Sequence, residues 1–595
     1  MKKNYLILSN IRKLWPKKNN KIIFNNIHAV DNICEIGKKF KQFEITPSHW
    51  YRSKNINANY VYLNKIYERN LIFFKNELNK IHKTNYSIKF WRILIGHWLS
   101  EFLHIYFDRW QSINFSLKKN IDKSNFIKYK KKYLIPENIE HFLRLYRSPI
   151  WGQFLNQEIL KELSNKKKFD YIKFSENKIK EELKNKSGSI EEKTKKGILI
   201  KIFLFIMKLI NFLVSNRGNK FFIYQSYIGT INEIKLSLKL NQLPFFNFNS
   251  LKVFNNNINY NLREKNLNKI KIKNKFEKSF LTLALQTLPK SFLEDFIFYK
   301  KDILNSNLPK KPRSIFSSNA LWYNSQFQFY TAFSVEQNNS KLIYAQHGGT
   351  YGISRFSWPE DYEIKTSDKW LSWGWLDKDK SRNVTRFFSI KKKFNKNNKK
   401  KINLLFLLKQ RKQFFHSLES SSGIESYDEY IKFQSKFLFS LNDKIKKITL
   451  LRIGNNYPIS NIDIYSNLKN KFKFYSEGSL EEASNKSKLL VHTINSTTML
   501  EGLMSNIPSI ILLNKKNNLF RNGSQKFMRD LVSAKILHHD PIAAAKFIGQ
   551  MWTKDNVNTW WFSKKNQKII KKFNSQFARS STNIVQDLKK ILTSS

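Results

Sequence analysis

From residue 219 onward, short apolar runs alternate with longer amphipathic stretches, and this alternation constrains the fold more than any other feature. Strands that alternate with helices are typical of a parallel α/β sheet. Ser479 and Glu482 have capping-box spacing, which predicts a helix start between two of the later strands. We therefore predict an α/β protein with two Rossmann-like domains that face each other across a cleft. The segments predicted as strands or strand–corner units are 219–229, 313–320, 340–349, 402–408, 448–453, 471–475, 488–493 and 507–513.

The clearest domain boundary is the run 391–401, which holds seven lysines. A block of like charges is typical of a solvated linker. The predicted divisions are a mainly helical N-terminal region (1–215), a first Rossmann-like domain (216–391), a second (402–555), and C-terminal helices (556–595) that could cross back to the N-terminal half.

The N-terminal region contains two apolar segments of interest. Residues 87–110 carry apolar side chains at helical spacing and predict a long amphipathic helix. Residues 197–215 are also apolar, but Lys201 and Lys208 interrupt them. A membrane-spanning helix needs about 20 mostly apolar residues, so we do not expect this segment to span. It fits either a buried helix or a helix that lies in the membrane interface.

Composition limits the compartment and the partners. The only cysteine, Cys34, rules out a disulfide framework and fits a reducing compartment. The apolar stretch 5–8 is too short for a signal core, so we expect a cytoplasmic protein. The formal charge of +61 indicates either a polyanionic partner or a genome rich in A/T codons, which favours Lys, Asn, Ile, Phe and Tyr alike. Either cause would favour peripheral contact with an anionic inner-membrane surface.

One glycine-rich corner is a candidate catalytic loop. The stretch "YAQHGGTYG", residues 344–352, follows an apolar run and holds three of the 17 glycines. Loops at the carboxyl ends of parallel strands bind ligands, and histidine is a common general base. His347 is therefore the candidate base. Alternatively, the stretch is a tight turn whose histidine is satisfied within the core. The candidate cleft residues beside His347 are Gln346, Gly348, Gly349, Thr350 and Tyr351.

The stretch "VHTINSTTMLEGLMSNIPSI", residues 491–510, is a candidate phosphate site. A predicted strand ends there and a helix begins, and the amides and dipole of a helix N-terminus favour an anion. A diphosphate at the first turn would leave Glu501, one turn deeper, for a ribose diol. Alternatively, this is an ordinary capped helix whose hydroxyls satisfy only its own amides. The candidate binding residues are Thr493, Asn495, Ser496, Thr497, Thr498 and Glu501.

Together these motifs resemble the GT-B glycosyltransferases and, more closely, the transferases encoded in bacterial O-antigen and surface-carbohydrate loci. A more distant likeness is to the CDP-glycerol glycerophosphotransferases, which place a His-Gly dipeptide in their cleft. By that likeness His347 matches the catalytic base. The segments that carry the resemblance are "FWRILIGHWLSEFLHIYFDRW" near the start, "YQSYI" at 224–228, "YAQHGGTYG", "SDKWLSWGW" at 367–375, "VHTINSTTMLEGLMSNIP" and Trp560-Trp561.

The resemblance implies a transferase that moves a sugar, or a related phospho-unit, from a nucleotide-activated donor to a lipid-linked or saccharide acceptor. The product would be O-antigen, lipopolysaccharide or another surface polysaccharide. Domain 216–391 would face the acceptor, and domain 402–555 would hold the nucleotide-sugar donor. Arg411, which follows a predicted strand, and Arg452, at the end of another, would stabilise the leaving diphosphate without a metal or cofactor. No nucleic-acid partner is implied.

Several other polar and aromatic residues lie close to the glycine-rich corner. Glu360 and Asp361, beside Pro359, predict a surface turn rather than a metal-binding pair. Asp368 could have a structural role. Trp373 and Trp375 fit either the core or a wall that stacks on a sugar.

Two other functions remain open from the residues alone. A nucleotide-sugar epimerase or hydrolase on the same scaffold would consume donor without an acceptor. A nucleic-acid-binding protein would bind with steep salt dependence.

Overall fold

The computed structural model describes residues 3–594 with gaps. The gaps are 17–20, 27–28, 31–39, 41, 48, 53–55, 165–167, 186–201, 203–204, 207–217, 246–253, 255, 266–270, 377–382, 391–393, 395–402, 410–426, 454–467, 469 and 554. Most of the apolar segment 197–215, most of the lysine run 391–401, Cys34 and Arg411 lie outside the described residues.

The N-terminal region contains a five-stranded parallel sheet that the sequence analysis did not predict. Its order is β3-β2-β1-β4-β5. These strands have only three to five residues each, and polar or charged residues interrupt most of them, so no clear apolar run marks them. The strands are β1 (Asn4–Ile7), β2 (Lys21–Phe24), β3 (Phe43–Ile45), β4 (Lys123–Ile127) and β5 (Lys168–Ile172).

The helices of this region are long, as predicted. Ser87 caps the longest, α3, by accepting a hydrogen bond from the Phe90 amide. Its 30 residues extend about 45 Å, and most of them are buried, because the helix packs against both α2 and the domain built on the second sheet. The helices are α1 (His49–Arg52), α2 (Ile56–His82), α3 (Ile88–Leu117), α4 (Ile139–Leu145), α5 (Pro149–Leu163) and α6 (Glu176–Asn185).

The second sheet is parallel and has the order β10-β9-β8-β7-β6. Its strands are β6 (Phe221–Ile223), β7 (Ser314–Ser317), β8 (Lys341–Ala345), β9 (Lys369–Ser372) and β10 (Val384–Arg386). Its helices are α7 (Thr230–Lys239), α8 (Tyr260–Glu264), α9 (Lys275–Gln286), α10 (Phe296–Asn305), α11 (Ala320–Tyr323), α12 (Ser325–Asn338) and α13 (Trp358–Thr366).

The third sheet is parallel, six-stranded and ordered β13-β12-β11-β14-β15-β16. The predicted capping box is confirmed, since Ser479 and Glu482 exchange both side-chain-to-backbone bonds at the start of α16. The strands are β11 (Asn403–Leu408), β12 (Thr449–Ile453), β13 (Lys473–Phe474), β14 (Ser487–His492), β15 (Ser509–Leu512) and β16 (Leu537–His538). The helices are α14 (Tyr427–Ser440), α15 (Asp443–Ile448), α16 (Leu480–Asn485), α17 (Thr497–Met504), α18 (Asn522–Ser533) and α19 (Pro541–Thr553).

Three further helices follow, α20 (Val557–Trp561), α21 (Lys564–Phe577) and α22 (Ile584–Thr593). Helix α21 packs against α17 and α18, whereas α22 packs against α7. One buried apolar cluster extends from the first sheet through the second to α17 and these C-terminal helices. A separate buried apolar cluster lies around the third sheet. None of the helices in the described part of the chain combines the length and the apolar character that a membrane span needs.

The domains built on the second and third sheets, called the second and third domains below, meet through the loop that follows β8. Backbone bonds join Arg355 to Leu519 (3.0 Å) and Arg521 to Ile353 (2.9 Å). Because all strands within each sheet are parallel, each sheet presents its carboxyl-end loops at one edge, and loops from the two edges are in contact here. The predicted α/β architecture, in which two parallel-sheet domains face each other, is confirmed.

The prediction of a surface turn at Glu360 is wrong. Pro359 lies in the first turn of α13, where proline is favoured because its missing N–H is not needed. Glu360 is fully buried, accepts a hydrogen bond from the Gly352 amide (2.8 Å) and pairs with Arg521 of the third domain. Asp368 is structural, as predicted: it accepts from the Leu342 amide and pairs with Lys89.

We expect Glu360→Ala to destabilise the protein by about 3 kcal/mol or more, because it leaves the Arg521 guanidinium without its buried carboxylate. Urea unfolding would measure this. The matched control is Asp530→Ala on α18, which removes the more exposed pair with Lys572 and should cost no more than about 1 kcal/mol. Equal losses in the two variants would contradict the structural role of Glu360.

Candidate functional site

The loop after β8 contacts the third domain so closely that only glycine fits at one position. A Cβ on Gly349 would lie 2.3 Å from the carbonyl carbon of Ser496 and 2.4 Å from the Thr497 nitrogen. The Gly349 amide donates to Thr497 Oγ1 (3.1 Å). Gly348, in contrast, has open space where its Cβ would be. The two predicted motifs are therefore in direct contact.

His347 lies at the start of this loop, and its side chain is 20% exposed. Three aromatic rings contact the imidazole edge-on: Tyr227 at 6.4 Å, Trp322 at 5.7 Å and Tyr351 at 5.5 Å between ring centroids. The ring is thus held firmly while part of it stays open to solvent. That combination suits a base that must meet a substrate hydroxyl.

Glu363 of α13 is the carboxylate behind His347, and the sequence analysis missed it. Its Oε1 lies 3.6 Å from His347 Nδ1. Glu363 is fully buried, which raises its pKa to about 8, although hydrogen bonds from Trp322, Tyr351 and Trp370 act in the opposite direction. A carboxylate at this position would orient the imidazole and stabilise the imidazolium that forms when it accepts a proton.

Gln346 faces the interior rather than the cleft. Its side chain is fully buried, its Nε2 donates to the Gly348 carbonyl (2.7 Å), and its Oε1 accepts from Trp373 N and Trp375 Nε1. Both tryptophans are buried, which places them in the core. Gln346 therefore joins the glycine-rich corner to the Trp-Gly-Trp segment.

Thr350 and Tyr351 complete the loop. Thr350 is half-buried, and its carbonyl accepts from the amides of Ile353 and Ser354. Tyr351 is buried and donates its hydroxyl to Glu363 (2.9 Å). Both residues shape the corner that presents His347.

The first turn of α17 has the features expected of an anion site. Ser496 is its N-cap but makes no side-chain capping bond; instead its hydroxyl pairs with Thr498 Oγ1 (2.8 Å). Ser496, Thr497 and Thr498 are half-buried, as is Glu501 one turn deeper. The first amides of a helix have no partner within it, so they can bind an anion where it can reach them.

Other predicted donor-site residues have structural partners. Thr493 is buried and bonds to the Leu407 carbonyl and the Tyr430 hydroxyl, both at 2.6 Å. Asn495 is buried and donates to Ser354 Oγ across the domain contact (3.1 Å). Arg452 donates to the carbonyls of Glu477 (2.9 Å) and Gly478 (2.6 Å) and so holds the loop after β13.

The nearby His492 is a poor alternative base. It ends β14 beneath Gly502, whose Cβ would lie 2.9 Å from its Nε2. Complete burial lowers the pKa of His492 to about 3, so it stays neutral at physiological pH and is closed to solvent.

Among the described residues, no group of three or more His, Cys, Asp or Glu side chains is placed to hold a metal ion. Metal-independent chemistry stays a prediction.

The structure thus places the His347 loop of one parallel-sheet domain against a helix N-terminus of another. The chain belongs to the LIC12162 family of transferases, whose model matches residues 4–592. The predicted membership of a transferase family is confirmed. No curated protein matches the chain.

The chain is also similar to several solved structures, with low identity. S. aureus TarM, in complex with UDP, matches at 13% identity and a TM-score of 0.31, over 47% of this chain and 55% of that one. The pneumococcal O-GlcNAc transferase GtfA matches at 11% and 0.32, over 50% and 59%. The wall teichoic acid polymerase TagF matches at 12% and 0.30, over 67% and 98%. The chain thus spans just over half the length of the first two.

We expect Gly349→Ala to lower the melting temperature, because the added methyl group would force apart two backbone segments. The measurement is thermal unfolding. Gly348→Ala, one residue away, adds the same methyl group in open space and should behave like the wild type. Identical behaviour of the two variants would show that the loop and α17 are not held in this contact.

Proposed function

We propose that this protein is a glycosyltransferase that moves a sugar, or a related phospho-unit, from a nucleotide-activated donor to a saccharide or lipid-linked acceptor. The single observation that carries the proposal is the direct contact between the His347 loop and the N-terminal turn of α17. It brings a candidate base and a candidate diphosphate site together at the facing edges of two sheets.

His347 would accept the proton of the acceptor hydroxyl as its oxygen attacks the anomeric carbon. The new C–O bond forms while the bond from that carbon to the donor phosphate breaks, and the nucleoside diphosphate leaves with the electron pair. The Glu363 carboxyl lies 3.6 Å from His347 Nδ1. When this carboxyl is ionised, it would stabilise the imidazolium. In this role Glu363 is a positioning residue, since it acts through His347.

The leaving diphosphate would lie at the first turn of α17. Charge develops there during the reaction, and fixed amide dipoles stabilise it without reorganisation. The hydroxyls of Ser496 and Thr498 lie 2.8 Å apart, close enough to share that anion, and Thr497 stays a candidate beside them. Glu501 would bind the ribose. Arg411 and Arg452 stay candidates for contact with the diphosphate.

The cellular setting follows from the resemblance and the charge. We place the reaction in the biosynthesis of O-antigen or another surface polysaccharide, on the cytoplasmic side of the inner membrane. Peripheral contact with anionic lipid would fit the net charge of +61.

We expect His347→Ala to lose transfer activity by at least about a hundredfold, the scale of general-base catalysis, while it still binds the nucleotide. A thermal-shift panel of UDP-, GDP-, CDP- and CMP-linked sugars would first identify the donor, and transfer would then be measured with that donor. His492→Ala removes the other histidine of the two motifs and should keep transfer activity in whatever fraction folds. Full activity of His347→Ala would contradict the assignment.

We expect kcat/KM to rise with pH and to pass its midpoint near pH 8, because Glu363 becomes anionic as the pH passes its pKa of about 8. Glu363→Gln should remove the rise near pH 8 and lower kcat. A pH profile that is unchanged in Glu363→Gln would exclude the coupling to His347.

The same carboxyl predicts a pH-dependent stability. Its folded pKa is raised above the unfolded value of 4.5, so its contribution is present below pH 4.5 and is lost as pH rises through 8, by up to about 1.4 kcal/mol per pH unit. Glu363→Gln carries a neutral group at every pH and should therefore lose less stability than the wild type between pH 5 and pH 9, as measured by urea unfolding at each pH. The reason is that only the wild type must ionise a buried group.

A further inference from the structure

The loop after β6 holds an exposed aromatic ring beside His347. Tyr227 has a φ of 64°, and Gln225 in the same loop has a φ of 49°. Non-glycine residues in the left-handed region carry a conformational cost and cluster at binding sites. Tyr227 is 41% exposed, and its ring stands edge-on to the imidazole. The fold therefore keeps an aromatic ring partly exposed next to the candidate base.

Asn319, beyond the end of β7, connects this ring to α11. Its Nδ2 donates to the hydroxyls of Tyr227 and Tyr323. Asn319 is only 3% exposed, and its Oδ1 has no hydrogen-bond partner among the residues described. A flip of the Asn319 amide would exchange the positions of Oδ1 and Nδ2, and Nδ2 would then be the atom without a partner. A buried polar atom of this kind costs free energy unless a ligand or water completes it.

Tyr227 and Asn319 lie on the side from which an acceptor would reach His347. Strands β6, β7 and β8 are neighbours in the second sheet, so Tyr227, Asn319 and His347 come from adjacent loops at one edge. The candidate donor turn contacts the β8 loop at Gly349. His347 thus lies between two sites. The proposed donor site contacts its own loop at Gly349, and Tyr227 and Asn319 lie on the neighbouring loops of the same sheet.

We propose that Tyr227, Asn319 and Tyr323 form the subsite that binds the acceptor, and that the acceptor part bound there is a saccharide ring. A pyranose offers an apolar C–H face to an aromatic ring and hydroxyls to an amide and two phenols. An acyl chain would leave the Asn319 amide unsatisfied. The inference rests on the proposed function and deepens it by naming the class of acceptor.

The test is saturation-transfer NMR with the methyl glycosides of glucose, galactose, mannose and N-acetylglucosamine, on the full chain. Wild type, Tyr227→Phe, Tyr227→Ala and Asn319→Ala would be compared. The control is Tyr260→Ala, since Tyr260 on α8 is equally exposed at 43%. We expect saccharide signals in the wild type, Tyr227→Phe and Tyr260→Ala, and a loss of roughly tenfold in affinity in Tyr227→Ala and Asn319→Ala. Tyr227→Ala should keep its thermal shift with the donor nucleotide.

The outcomes separate the subsite from the function. Saccharide binding that survives Tyr227→Ala, or the absence of binding in the wild type, overturns the subsite, even when nucleotide protection upholds the transferase. Binding that is lost in Tyr227→Ala supports the subsite, even when no nucleotide protects the protein and the proposed function fails. If Asn319→Ala does not fold, the comparison of Tyr227→Ala with Tyr227→Phe and with Tyr260→Ala still tests the subsite.

Discussion

The approach of Gly349 to the first turn of α17 is the contact on which the candidate site depends. With no side chain at this position, the loop backbone comes within hydrogen-bond distance of Thr497. The same loop is held further along by Asn495 and by the backbone of Arg521. Backbone bonds and bonds from short side chains thus hold the His347 loop against α17, and a group-transfer reaction needs reacting groups to be held in place in this way.

Helix α13 carries two fully buried carboxylates with different electrostatic environments. Glu360 faces the Arg521 guanidinium and the Gly352 amide, so a positive partner offsets its desolvation. Glu363 has neutral donors around it and the His347 ring 3.6 Å away, and burial raises its pKa to about 8. One carboxylate thus joins two domains, while the other is suited to respond to the protonation of a neighbouring ring.

The extent of sequence-based prediction varied with the strength of the local pattern. Strands β6 to β8 and β11 to β15 lie in predicted segments, and the capping box at Ser479 and the helix start at Thr497 were also predicted. Strands β9, β10 and β16 were not predicted. The first sheet was missed because its strands are short and partly polar. Glu360 was misread because a proline followed by two acidic residues fits a surface turn as well as the first turn of a helix.

The sequence by itself determined the elements of the site: a strand that ends in Gln-His-Gly-Gly, and a strand that ends in a hydroxyl-rich helix start. These depend on interactions between residues close in the chain, which leave a readable pattern. The tertiary structure alone decided which groups meet them. The Glu363 carboxylate behind His347, the Tyr227 ring beside it and the Arg521 partner of Glu360 come from segments that only packing brings together. No local spacing encodes such contacts, because they arise from how three sheets and their helices bury a shared core.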